Sequence, residues 1–422
     1  MKEGYKKTEL GWIPDEWEIK QLKNLGESII GLTYSPDNLV DEEGTLVLRS
    51  SNIKGNRLSF NDNKYVNKKI PDKLITKEND ILVCSRNGSK DLIGKCALID
   101  KNSVGNSFGA FMTIYRGEYN QFLFQVFNSF MLKRQIYNNL GATINQITTD
   151  NLNKFKVPFP PLKEQQKIAE ILSTVDTQID DTDKLIEKTK ELKKGLMQRL
   201  LTKGIGHTEF KITEVGEIPV EWEIITVGKL VTLLKSGLSR SLKEENVGVP
   251  CIRSNNIKED KLVLNDLKYW YNMDDKGAKI EDYILDEGDI IVNFINSISQ
   301  IGKGCIFNKN DFRTIYTTNL LRIKVDNSKI INTFFYYYIQ TERYRKEITL
   351  ITKPAVNQAS FTTVEYKSIK FPVPNLEEQR LISNILVSVD TQIEEYENKK
   401  SKLEELKKGL MQKLLTGKIR VV

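Results

Sequence analysis

Two sets of short segments concentrate side chains able to hydrogen-bond in fixed geometry. In the first half of the chain they are Arg49, Asn52 and Lys54; Arg86, Asn87, Ser89, Lys90 and Lys95 in SRNGSKDLIGK; and Asn145 with Gln146 in GATINQIT. The second half offers Arg253, Asn255 and Lys258; Asn293, Asn296, Ser297, Gln300 and Lys303; and Lys353, Asn357 and Gln358 in ITKPAVNQAS. Arg, Asn and Gln present paired groups that match base edges, while Lys and Ser suit phosphates. The chemistry these types imply is recognition, with no covalent bond made or broken. A plainer reading stands beside it. Arg49 and Asn52 recur as Arg253 and Asn255 or Asn256, which equally describes a repeated turn held by an Asn side chain. The segment after Ser85 differs most between the halves, SRNGSKD against FINSISQ, as discriminating loops should. Asn145-Gln146 and Asn357-Gln358 align despite that divergence, so a structural or phosphate role is open for them.

Motifs that would make or break bonds fail on inspection. GSKDLIGK at 88–95 resembles a phosphate loop, but five residues separate its glycines and Cys96 follows where Ser or Thr is needed. PDEWEIK at 14–20 resembles a nuclease signature, yet the second copy replaces Asp15 with Val220. His207 is the only histidine, which excludes paired-histidine zinc sites and serine-histidine triads within the chain. PFPP at 158–161 lacks the order of an amino-methyltransferase signature, and no glycine-rich loop of methyl-donor type precedes it. No catalytic residue, metal site or cofactor site is expected here.

The elements that must position the loops come as a duplication. ELGWIPDEWEI at 9–19 returns as EVGEIPVEWEI at 214–224, LRSSNIK at 48–54 as IRSNNIK at 252–258, and VDTQID at 175–180 as VDTQIE at 389–394. ELKKGLMQRLLT at 191–202 returns as ELKKGLMQKLLT at 405–416. A period this long is a duplicated domain, not a solenoid repeat. Short β-rich runs such as DILVC and DIIVNF, broken by Gly, Asn and Asp, predict a mixed α/β globule in each half. Prolines in VPFPPLKEQ and FPVPNLEEQ end each globule and open a long helix.

Those helices carry one narrow apolar stripe each. The expected pairing residues are Ile168, Leu172, Val175, Ile179, Ile186, Leu192, Leu196 and Leu200 in the first. In the second they are Ile382, Leu386, Val389, Ile393, Tyr396, Leu403, Leu406, Leu410 and Leu414. Such a helix is unstable alone and needs a coiled-coil partner; the other copy in the same chain is the nearest one.

Composition sets the outer bounds. The 422 residues exceed one ordinary core, and 63 Lys+Arg against 56 Asp+Glu leave a charge of +7, which permits a polyanionic partner. Cys84, Cys96, Cys251 and Cys305 have no CxxC spacing, in keeping with a reducing compartment. There is no signal-like start and no apolar run long enough to span a membrane, so a soluble cytoplasmic protein is expected.

Over nearly its whole length the chain resembles the DNA specificity subunits of type I restriction-modification systems. The resemblance rests on IPDEWEI and IPVEWEI, on PPLKEQQKIAEILSTVDTQID and PNLEEQRLISNILVSVDTQIE, and on the two ELKKGLMQ tails. It implies an α+β protein with a pseudo-two-fold repeat, two α/β target-recognition globules and two long helices paired as an antiparallel coiled coil. The expected boundaries are 1–157 and 205–371 for the globules, 158–204 and 372–422 for the helices. Each globule is then expected to read one half of an asymmetric bipartite DNA target. The helices would set the spacer and dock two methyltransferase subunits, through which restriction and translocase subunits join. S-adenosylmethionine, ATP and magnesium would belong to those partners, and this subunit would not be catalytic by itself. Two other readings remain: a coiled-coil scaffold without specific DNA binding, and a self-contained DNA-modifying enzyme with an unfamiliar site.

Overall fold

The computed structural model describes residues 3–140, 145–308, 312–354 and 358–421. The chain divides into two compact units, residues 1–183 with 398–422 and residues 184–397. Compactness therefore breaks in mid-helix and not at the proline hinges, because each globule draws helix residues into its own core.

In the first unit a four-stranded antiparallel sheet runs in the order Cys96–Leu98, Ile81–Cys84, Met112–Arg116 and Glu27–Ile30. The second unit repeats it with Gly304–Ile306, Ile290–Asn293, Leu320–Val325 and Val231–Ser236. The strand Ile81–Cys84 is an uninterrupted apolar run because both its faces are covered. Its alternation sends Ile81 and Val83 into one core with Trp17, Phe127, Ile168 and Leu172, and Leu82 and Cys84 into another with Leu48, Phe108 and Ile114. All four cysteines are free and buried.

The repeated IPxEW and PxLxEQ motifs meet at one place in each unit. Glu18–Gln21 pairs with Lys156–Phe159, and Glu223–Thr226 with Lys370–Val373, closing each globule where its chain enters and leaves. Beside this closure the buried Trp17 indole donates to Glu164 at 2.9 Å, and Trp222 to Glu378 at 3.0 Å. A buried carboxylate needs a counter-charge. Arg420 supplies it to Glu164 at 2.8 Å, while Glu378 lies 2.9 Å from a His207 ring nitrogen and accepts from the Ile205 N–H at 2.9 Å. Gln165 and Gln379 each donate to the carbonyl five residues back, Pro160 and Pro374, fixing the turn into the helix. The motifs that identify the repeat are thus the parts that join globule to helix.

The long helices span Leu162–Lys203 and Leu376–Leu414. Within the first unit Asp176 pairs with Lys407 and Asp183 with Lys400; within the second Lys193 pairs with Asp390 and Lys190 with Glu397. Rising numbers on one helix meet falling numbers on the other, so the pairing is antiparallel in each unit. Ile168, Leu172, Val175 and Ile186 are buried, as are Ile382, Leu386, Val389 and Ile393. Ile179, Leu196, Tyr396, Leu403 and Leu410 are half-buried.

Two expected pairing residues are corrected. Leu192 is 53 % exposed and Leu406 50 % exposed. The seam instead continues its alternating spacing through Thr182, Thr189 and Lys193, and through Lys400 and Lys407. Thr182 and Thr189 return their hydroxyls to carbonyls four residues back, which is how a polar residue tolerates a buried helix face.

Candidate nucleic-acid interface

In the first globule the backbone draws three separated segments together. Arg86 and Gln146 form an antiparallel β-bridge, Asn87 N–H donates to the Asn145 carbonyl at 3.2 Å, and Ile147 N–H to that of Ser85 at 2.8 Å. Ser85 and Arg86 N–H groups both donate to the Phe111 carbonyl at 3.0 Å. The exposed Arg86 guanidinium lies 5.1 Å from the centroid of the Phe111 ring, itself 57 % exposed.

Around this junction many candidate side chains are already committed. Asn87 donates to the Ser50 hydroxyl at 3.1 Å and accepts from Ser89 N–H at 3.0 Å. Asn145 donates to the Gly88 carbonyl at 3.0 Å, and Lys95 reaches the Ser50 carbonyl at 3.5 Å. Lys90 lies 4.7 Å above the Tyr137 ring. Lys90, Lys95 and Lys133 line a cleft of about 290 Å³ with Asn56 and Tyr137.

Asn52 is removed from the contact set. It is wholly buried, accepts from Arg49 N–H at 2.9 Å, and donates to the Ser59 and Asp62 carbonyls at 3.0 and 3.2 Å. Asn256, and not Asn255, repeats this clamp, donating to Val263 and Asn265 at 3.0 and 2.9 Å. Arg49 and Arg253 are held beside the clamps by Asp62 at 2.9 Å and Asp266 at 3.0 Å. The exposed Asn255 also reaches Asp266, at 3.3 Å. The repeated turn was therefore the correct alternative for the Asn. Asn52→Ala should lower unfolding stability by about 1–3 kcal/mol, the scale for stranding buried backbone groups, read as a lower urea midpoint with an unchanged DNA target. A changed target at unchanged stability would return Asn52 to the contact set.

The hairpin that follows, Ile53–Lys54 with Arg57–Leu58, turns on Gly55 and Asn56, both with positive φ. It points Arg57 at the helix, where it donates to the Asp176 carbonyl at 2.7 Å and pairs with Asp180. Lys54 is exposed on this hairpin, and Lys258 on its counterpart Ile257–Lys258 with Lys261–Leu262.

In the second globule the strand Ile295–Asn296 pairs with Ala359–Ser360, which also pairs with Lys353–Pro354. Phe294 and Ile295 N–H groups converge on the Asn319 carbonyl at 3.2 and 3.4 Å, as Ser85 and Arg86 do on Phe111. Phe361 N–H donates to Phe294 as Ile147 does to Ser85. Asn145 and Gln146 thus correspond to Ala359 and Ser360, two residues beyond the alignment read from sequence. Gln358 is exposed, and Asn357 lies outside the described residues.

Asn293 is also removed, since it is 1 % exposed in the central strand. Its side chain accepts from Asn296 at 3.2 Å, and Asn296 in turn accepts from Ser297 N–H at 2.7 Å. Gln300 N–H closes the same turn onto Ser297 at 2.9 Å. Lys353 pairs with Glu365 at 2.7 Å; that ammonium, then the Thr362 N–H, holds the Glu365 carboxyl down at about 2. Lys303 lines a cleft of about 380 Å³ with Ile298, Ile301, Arg345 and Ile348. Where the first cleft is lysine-rich, its counterpart is largely apolar.

Phe111 and Asn319 were not legible beforehand as members of this surface. They reach it through backbone convergence at the ends of sheet strands, and only the exposure of an aromatic ring hints at it. Among the described residues no group of three or more His, Cys, Asp or Glu could hold a metal ion. Asp15 and Glu16 fall in the turn before Glu18–Gln21, with Glu16 on Arg420 at 2.8 Å. No described helix is long and apolar enough to cross a membrane.

Comparison with known proteins finds the type I restriction modification DNA specificity domain matched twice, over residues 14–191 and 219–405. The chain is similar to the MjaX type I restriction enzyme specificity subunit of Methanocaldococcus jannaschii, at 31% identity over 434 residues, 99% of this chain and 97% of that one. It is also similar to the EcoKI specificity subunit of Escherichia coli, at 23% identity over 97% of this chain and 90% of that one. Its fold is similar to the crystal structure of the S subunit from M. genitalium, with a TM-score of 0.59 at 18% identity, covering 94% of this chain and 96% of that one.

Proposed function

The chain belongs to the type I restriction-modification DNA specificity family, and from that premise we propose that each globule reads one half of an asymmetric bipartite DNA target. The observation that carries this reading is the shared junction bearing different side chains: Arg86, Gln146 and Phe111 in one globule stand where Ile295, Ser360 and Asn319 stand in the other. One scaffold with two sets of side chains is what two different half-sites require. The helices act as spacer. S-adenosylmethionine, ATP and magnesium are used by partner subunits, so methylation and cleavage need the assembled complex.

Co-expression with a methyltransferase partner, followed by genome-wide mapping of methyl-adenine, tests this directly. A split motif with two unlike halves is the expected result. A single undivided or palindromic motif, or no sequence preference, would refute it.

Leu192 and Leu406, displaced from the seam, occupy equivalent exposed positions in the repeated ELKKGLMQ segments. Two copies of one segment suit two copies of one partner, and we assign them to the methyltransferase subunits, the core that restriction subunits then join. Leu192→Glu or Leu406→Glu should each remove one partner copy from the assembled mass, and the double variant both. Full assembly by a folded double variant would place docking elsewhere.

A further inference from the structure

A side chain that discriminates bases must keep its donors and acceptors available. In the first globule Arg49, Asn52, Asn87 and Asn145 spend theirs inside the protein, as described above. Arg86 does not: its backbone N–H is fixed on the Phe111 carbonyl while its guanidinium rests against the Phe111 ring. A guanidinium lying on an aromatic face is held in orientation with its N–H edge still free.

Gln146 is the residue directly opposite Arg86 in the β-bridge. Cross-strand neighbours project to the same face with Cβ atoms about 5 Å apart, comparable to the roughly 3.4 Å rise between stacked base pairs. Arg pairs with the O6 and N7 of guanine, and Gln with the N6 and N7 of adenine. In the second globule the same bridge brings Ile295 opposite Ser360. That pair has no forked donor, and the methyl groups of Ile295 match the C5 methyl of thymine.

We propose that this cross-strand pair is the base-discriminating element of each globule: Arg86 with Gln146 reads a guanine beside an adenine, and Ile295 with Ser360 reads a thymine. The proposal rests on the assignment of both globules to specific DNA binding. It adds which residues discriminate and which bases they take.

The test uses the full chain in complex with its methyltransferase partner, with the wild-type motif mapped first. Arg86→Ala should make one guanine position degenerate in one half-site, and Gln146→Ala the neighbouring adenine. Each should lose roughly 10- to 100-fold in discrimination while the other half-site is read as before. Replacing that guanine by 7-deazaguanine should weaken wild-type binding by a similar factor and leave Arg86→Ala binding unaffected. Arg86→Lys keeps the charge and a donor for guanine O6 and N7 but loses the planar fork, so it should retain overall affinity and part of the guanine preference, falling between wild type and Arg86→Ala. In the other half-site, uracil in place of one thymine should weaken wild-type binding and not that of Ile295→Ala.

Uniform weakening on every duplex would make Arg86 a phosphate contact and overturn the proposal. So would degeneracy at a base other than guanine, or indifference of Ile295→Ala to the uracil exchange. Absence of any split motif from the wild-type complex is a separate observation, which would instead remove the reading of the globules as DNA readers.

Discussion

Exchanging residues 20–155 for the equivalent globule of a relative is expected to replace one half of the methylated motif completely and to leave the other half unchanged. The cut points fall within a single ribbon, where Lys20 faces Val157 and Gln21 faces Lys156. The graft therefore keeps the host's exit strand Lys156–Phe159 and its pairing with Glu18 and Ile19, and the Trp17–Glu164–Arg420 cluster stays with the host. The reading junction travels whole, because Arg86, Phe111 and Gln146 all lie inside the exchanged segment. Each mismatched base pair weakens specific binding by about 1–3 kcal/mol, so a changed half-site of several bases should shift preference by roughly a thousandfold or more. Methyl-adenine mapping of the chimera reads the outcome. A change in both halves at once would show that the globules do not read independently.

The second large effect concerns the helices as a ruler. Four residues inserted after Asp183, with four more after Glu397, should lengthen the spacer by one or two base pairs without altering either half-site. These positions are chosen by the ion pairs. Asp176–Lys407 and Asp183–Lys400 lie on one side of both insertions, and Lys190–Glu397 and Lys193–Asp390 on the other, so all four survive. Four residues add about 6 Å of helix, against about 3.4 Å per base pair. They also add about 40° beyond a full turn, so turnover is expected to fall even where spacing is correct. An insertion in one helix alone sets the stripes out of register and should abolish assembly. An unchanged spacer in an active double insertion would leave the helices no role as a measure.

Much of this architecture was legible because it is repeated. IPxEW, PxLxEQ and ELKKGLMQ announced a duplicated globule and helix, and the proline hinges marked where each helix begins. Hydropathy could not find the polar part of the helix seam. Lys193 fits the alternating spacing from Thr189 to Leu196, but Leu192 beside it looks the better seam residue until Asp390 is seen to claim the lysine. The candidate contacts were harder for a different reason. Residue type reports what a side chain can bond, and only the fold reports what it has bonded already, which is why Asn52 and Asn293 resemble Arg86 on paper and differ in place. The two-residue shift that matches Gln146 to Ser360 was hidden by a chance Asn-Gln dipeptide in each half, and only backbone pairing exposes it.

The buried thiols give the molecule a built-in reporter of its own unfolding. Cys84 and Cys96 lie in the first unit and Cys251 and Cys305 in the second, each no more than 1 % exposed. Burial pushes all four thiols up, Cys96 and Cys251 to about 12, so neither access nor thiolate is on offer to an alkylating reagent in the folded chain. Labelling then requires opening. A brief pulse of iodoacetamide across a denaturant series, resolved by peptide mass, would record separate opening curves for the two halves of one polypeptide, with no engineered probe. The same inertness leaves the native sequence free to accept a single added cysteine on its surface as the one point of attachment for a dye or cross-linker.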